Sequence, residues 1–144
     1  MRLGARRLGD ESGASAVEFA MVVPMLVFVI LGILEFGQYL WTSSILQQTA
    51  VQTARCMGVL QSQCASGGVY SSSGSLGYGQ TVAAGYGLGL GGSNFTLSNN
   101  ANCAGVSGFS QVTVSYRFFA MVPVVTAMVG GLPLTATACF PNRS

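Results

Sequence analysis

The chain has 144 residues, enough for one domain and too few for two. Half of it is hydrophobic, mean hydropathy is +0.54, and only 7% is charged, against about a quarter in an ordinary soluble domain. There is no His, all six basic residues are Arg, and the only acids are Asp10, Glu11, Glu18 and Glu35. That excludes most general acid–base and metal chemistry, which leans on His, Asp, Glu and clustered Cys. A net charge of +2 is too small for nucleic-acid binding. A non-enzymatic membrane or structural protein remains, with no catalytic residue, metal or cofactor expected.

Residues 1–13 carry Arg2, Arg6 and Arg7 ahead of a long apolar run, so by the positive-inside rule this end stays cytoplasmic. Residues 19–34, FAMVVPMLVFVILGIL, are uncharged. With their flanks they form an apolar stretch long enough for a spanning helix, membrane-embedded over about 17–37. Glu18 and Glu35 bracket it, and Tyr39 and Trp41 follow where an interfacial aromatic belt would lie. Pro24 removes one hydrogen bond inside this helix and predicts a kink. The run ends LEFGQYLW, without the small-residue pattern of a secretory cleavage site.

The helical pattern continues. Leu46, Ala50, Ala54 and Met57 form one stripe, while Gln47, Gln48, Gln52 and Arg55 lie on other faces. Gly58 is a natural stop. One helix over about 14–59 results, extending some 65–70 Å at about 1.5 Å per residue. Its amphipathic second half must pack on something outside the bilayer.

Residues 60–110 read as a Cys- and Gly/Ser-rich loop region. Gly and Ser fill 20 of the 43 positions from 66 to 108, none of them charged. A long flexible surface loop is expected, and the sharper alternative is an adhesive or packing surface of Gly and Tyr. It contains one sequon, Asn94-Phe95-Thr96.

Residues 111–144 hold two alternating segments. In QVTVSYRFF, Val112, Val114, Tyr116 and Phe118 share one face; in LTATACF, Leu134, Ala136, Ala138 and Phe140 do. Between them AMVPVVTAMVGGLP is apolar, but Pro123, Gly130, Gly131 and Pro133 break it. These breakers count against a second membrane segment over 118–140. Arg55 and Arg117 read as solvated or as helix-to-sheet contacts.

The four cysteines, Cys56, Cys64, Cys103 and Cys139, all lie on the exported side, where disulfides form. Four cysteines allow three pairings, and spacing alone does not choose among them. The expected pairing is Cys56–Cys64, close in sequence, with Cys103–Cys139 closing the C-terminal sheet.

The most informative motif is Gly13-Ala14-Ser15-Ala16-Val17-Glu18-Phe19 with the apolar run behind it. An acid within an apolar helix costs up to about 2.5–3.5 kcal/mol on insertion scales, which marks Glu18 as a functional candidate. The bland alternative is a carboxylate reaching the cytoplasmic headgroups. Glu35 lies about 25 Å further along, near the other face of the bilayer. It reads as an interfacial solvated acid or as the partner of an arginine on another subunit.

The stretch GASAVEFAMVVPMLVFVILGILEFGQYLW is similar to the N-terminus of TadE-like proteins, pseudopilins of the tight-adherence, Flp-type branch of type IV pili. QQTAVQTARCMG resembles their helical continuation, and VTVSYRFFAMVPVV with LTATACF resembles their C-terminal part more loosely. The resemblance implies an α+β, pilin-like fold: one long N-terminal transmembrane helix with a small C-terminal antiparallel sheet. It implies cleavage by prepilin peptidase between Gly13 and Ala14. Glu18 then becomes the fifth residue of the mature chain and pairs with the N-terminal amine of a neighbouring subunit. Phe19 stands where the main Flp pilins carry Tyr, and the chain is far longer than such a pilin. Both differences point to a pseudopilin or minor pilin supporting an adhesive fibre. The implied partners are the peptidase, other pilins or pseudopilins, the inner-membrane pilus assembly platform and membrane lipid.

The implied location is the bacterial inner membrane, single-pass, with the N-terminus cytoplasmic and the C-terminus periplasmic; the alternative is in or at the tip of a surface pilus. A first rival is an unprocessed single-span scaffold of the same machinery. A second, a tethered enzyme or binding domain, is disfavoured by the lack of His and of acids beyond Glu35.

Overall fold

The computed structural model describes residues 11–120 and 131–143. The expected basic leader (Arg2, Arg6, Arg7) and the middle of the candidate second membrane segment (121–130, with Pro123) lie outside the described residues. The fold is α+β: a long N-terminal apolar helix and a small antiparallel sheet. In chain order the elements are α1 (Glu11–Gly58), β1 (Ala65–Ser66), β2 (Val69–Tyr70), α2 (Ser72–Gly85), a short 3-10 turn (Gly92–Asn94), β3 (Phe95–Cys103), β4 (Val106–Phe118) and β5 (Leu132–Pro141). The chain divides into two units, Met1–Phe36 and Gly37–Ser144.

In the second unit, β3, β4 and β5 form one antiparallel sheet with β4 in the middle. Registers Phe95↔Val114 and Val114↔Ala136 place three buried side chains in one row; Leu97, Val112 and Ala138 form the next. Period-2 alternation produces this face. Its opposite, polar face carries Thr113 and Thr137, whose hydroxyls meet at 3.0 Å. The C-terminal half of α1 supplies Leu46, Ala50, Ala54 and Met57 to the same core, each at most 1% exposed. Tyr39 is half-buried and meets Phe118 edge-on at 5.9 Å. It belongs to this core rather than to an aromatic belt, whereas Trp41 is exposed.

Gly58 is the last helical residue, but the left-handed cap is Leu60, at φ +53°. Leu60 donates its N–H to Met57 and Gln61 donates to Cys56, the paired bonds of a Schellman motif. Gly58 is needed for another reason: a Cβ there would lie 2.6 Å from Phe140 Cδ1.

The Gly- and Ser-rich segment expected as a long surface loop is largely structured. It holds β2, α2 and β3. Four glycines in α2 disfavour helix by roughly 3–4 kcal/mol relative to Ala, so propensity alone argues for a loop. Tertiary packing overrides it. Ser75, Gly79 and Ala83, spaced by four, are fully buried, and Gly79 brings α2 against Thr53 of α1 and the ring of Phe95. Ser71 caps the start by accepting from the Gly74 N–H at 3.3 Å. The buried Ser75 hydroxyl donates to the Ser71 carbonyl at 2.7 Å.

The cysteines pair as Cys56–Cys64 and Cys103–Cys139. The first bond is fully buried at the end of α1. The second joins the end of β3 to β5, with Cys139 exposed.

Candidate functional site

The first unit offers one feature, the apolar stretch of α1. From Ser15 to Leu34 every described side chain is exposed except Val23, which is half-exposed. Phe19 is 71% exposed, Met25 73% and Phe28 74%, on a helix whose most apolar 18-residue window has a mean hydropathy of 2.6. Among the described residues this is one helix long and apolar enough to cross a membrane. An unbroken helix suits that setting because it satisfies its own backbone groups. Pro24 lies inside it, as expected, and lacks the N–H that would bond to Ala20.

Glu18 is exposed. Gly13 and Ala14 sit in the first turns of the helix, so the peptide bond between them lies within helical backbone. Glu35 is only partly exposed, unlike the apolar residues on either side of it. Glu18 and Glu35 therefore bracket sixteen uncharged positions, 19–34, whose side chains are exposed apart from the half-exposed Val23.

The second unit holds a feature the sequence did not signal. Val69, Tyr70, Asn99, Asn142 and Arg143, with Met57 beneath, line a cleft of about 270 Å³ at the end of α1. Three polar side chains organise it. The buried Ser110 hydroxyl donates to Asn142 Oδ1 at 2.6 Å, and Asn142 Nδ2 donates to Asn99 Oδ1 at 3.1 Å. Main-chain bonds from Asn142 to Gly108 (2.9 Å) and from Arg143 to Gly58 (2.8 Å) fix the chain there. Residues this far apart in sequence carry no shared pattern; the registers of β4 with β3 and with β5, and the bond from Arg143 to Gly58, bring them together.

The remaining arginines are placed simply. Arg55 is exposed in the last turn of α1, where a cation complements the helix dipole. Arg117 is exposed on the sheet's polar face, with its aliphatic stem against Gly131. In the sequon, Asn94 is engaged: its Nδ2 donates to Ser115 O at 2.8 Å and its Oδ1 accepts from the Gly91 N–H at 2.9 Å. Among the described residues no three His, Cys, Asp or Glu side chains cluster as metal ligands.

Residues 13–55 match the model of the family described as TadE-like protein. The match starts at the glycine of the Gly13–Ala14 pair and covers most of α1. No curated protein and no solved structure matches the chain.

Proposed function

We propose that this chain, TadE-like over residues 13–55, is a pseudopilin or minor pilin of a tight-adherence pilus system. One observation carries the reading: the helix of residues 19–34 is uncharged and exposed on all sides, with Glu18 at its start. Such a surface is stable only in lipid or against other apolar helices. A fibre core of like helices supplies the second environment.

In this reading prepilin peptidase removes the leader after Gly13. The new amine at Ala14 and the carboxylate of Glu18 then enter the core on different subunits. Each buried alone costs several kcal/mol, and pairing offsets part of that cost while fixing the axial register. Glu18 is the only acid after Gly13 at that end of the helix. The second unit, held by two disulfides, then lies on the periplasmic side, where such bonds form.

The second reading keeps the helix as a permanent anchor, with no cleavage, for a scaffold of the same machinery. The N-terminus and intact mass of the protein from membranes with and without prepilin peptidase separate the two. A start at Ala14 that depends on the peptidase supports the pseudopilin. A chain that keeps its leader in the presence of active peptidase overturns it in favour of the anchored scaffold.

A further inference from the structure

We propose that the cleft at the end of α1 binds an apolar residue bearing a free α-carboxylate, either the C-terminus of a peptide or a free amino-acid derivative. Asn99, Asn142 and Arg143 make up the polar part of its lining. The amide oxygens of Asn142 and Asn99 are already engaged, one by the Ser110 hydroxyl at 2.6 Å and the other by Asn142 Nδ2 at 3.1 Å. What remains for a ligand is mainly N–H: one on Asn142 Nδ2 and two on Asn99 Nδ2. Arg143 beside them is exposed and has donors only. A lining rich in donors selects an acceptor.

Charge sharpens this to an anion. No Asp or Glu follows Glu35, so no carboxylate side chain in the second unit neutralises Arg143. A guanidinium fork matches the two oxygens of a planar carboxylate. The apolar part of the lining sets the rest of the ligand. Val69 is 68% exposed beside the cleft, and the half-buried Tyr70 continues the apolar surface. Val69 is held there by a two-residue turn, Gly67-Gly68, with φ of +60° and +79°, conformations that glycine adopts freely.

The cleft has room for about one residue, and the rest of a peptide would lie outside it. The volume of about 270 Å³ lies just under the usual range for small-molecule sites. Every lining residue lies beyond position 55, outside the TadE-like match. The site is thus a property of this chain's own second unit, and it does not rest on the pilus reading.

The test titrates the full-length protein in detergent micelles with N-acetyl-L-leucine and with its uncharged amide, following amide chemical shifts by NMR. The acid is expected to bind about tenfold more tightly, the margin of a charge-assisted hydrogen bond over a neutral one. Arg143→Gln should abolish that preference, Arg143→Lys should keep part of it, and Arg117→Gln, on the sheet's polar face, should leave it intact. Tighter binding of acetyl-Gly-Gly-Leu than of N-acetyl-leucine assigns a peptide terminus; equal binding assigns the free derivative. Equal affinity for acid and amide, a preference that survives Arg143→Gln, or no shift with either probe at millimolar concentration overturns the proposal. So does competition by a neutral sugar.

Discussion

The backbone carbonyl of Gly58 accepts a hydrogen bond from the N–H of Arg143 at 2.8 Å, so the tail of the chain satisfies one of the last carbonyls of α1. The approach is close because Gly58 lacks a side chain. A Cβ there would sit 2.6 Å from Phe140 Cδ1 and 2.8 Å from the Pro141 carbonyl. Gly58→Ala is therefore expected to destabilise the second unit by about 1–3 kcal/mol, as overpacking does. A lowered midpoint in thermal or denaturant melts of the full chain checks it. An unchanged midpoint would mean that β5 gives way at no cost.

Two glycines of α2 should respond in opposite directions. At Gly79 a Cβ would lie 2.8 Å from the Phe95 ring and 3.1 Å from Thr53 Oγ1, whereas at Gly77 it would meet nothing within 4 Å. Gly79→Ala should destabilise by about 1–3 kcal/mol. Gly77→Ala should stabilise by roughly 0.5–1 kcal/mol through helix propensity. Denaturant midpoints of the two variants, measured side by side, decide the matter.

The two disulfides should differ in reactivity and in contribution. Cys56 and Cys64 are fully buried, while Cys139 is exposed. Reductant should open Cys103–Cys139 first, because exchange needs access for an attacking thiolate. By loop entropy, the bond closing 36 residues contributes roughly 4 kcal/mol and the one closing 8 roughly 2.5 kcal/mol. Timed alkylation with mass spectrometry reads the order of opening. Melts of Cys103→Ala/Cys139→Ala and Cys56→Ala/Cys64→Ala chains read the contributions. Loss of Cys56–Cys64 at the earlier time would contradict the burial argument.

Glu18→Gln should leave helix formation and membrane insertion intact, since the side chain is exposed and insertion favours the neutral form. On the proposed function, it should sharply reduce recovery of the processed chain in complexes with partner pilins. Co-purification after crosslinking measures this. Wild-type recovery of the Gln variant would remove the pairing role of Glu18.

The sequence by itself determined the elements whose signal is local. The uncharged run at 19–34 was enough for an exposed apolar helix, because only length and polarity enter that inference. Alternation at Val112, Val114 and Phe118, and again at Leu134 and Ala136, marked the buried face of β4 and β5, and each of these residues is buried. Spacing at Leu46, Ala50, Ala54 and Met57 did the same for α1. The motif from Gly13 to Phe19 was likewise legible, because its residues are contiguous.

Tertiary structure alone decided α2, β3 and the cleft. The composition of α2 argues for a loop, and the helix exists because Ser75, Gly79 and Ala83 are small enough to lie against Thr53 and Phe95. β3 is polar and Asn-rich, and it becomes a strand by pairing Phe95 and Leu97 with Val114 and Val112. The cleft joins Met57, Asn99 and Arg143, which share no periodicity along the chain. Periodicity reports on one element and its nearest face. Contacts between elements follow from the register of β4 with both its neighbours and from the close approach of α1 and α2, and no local pattern encodes either.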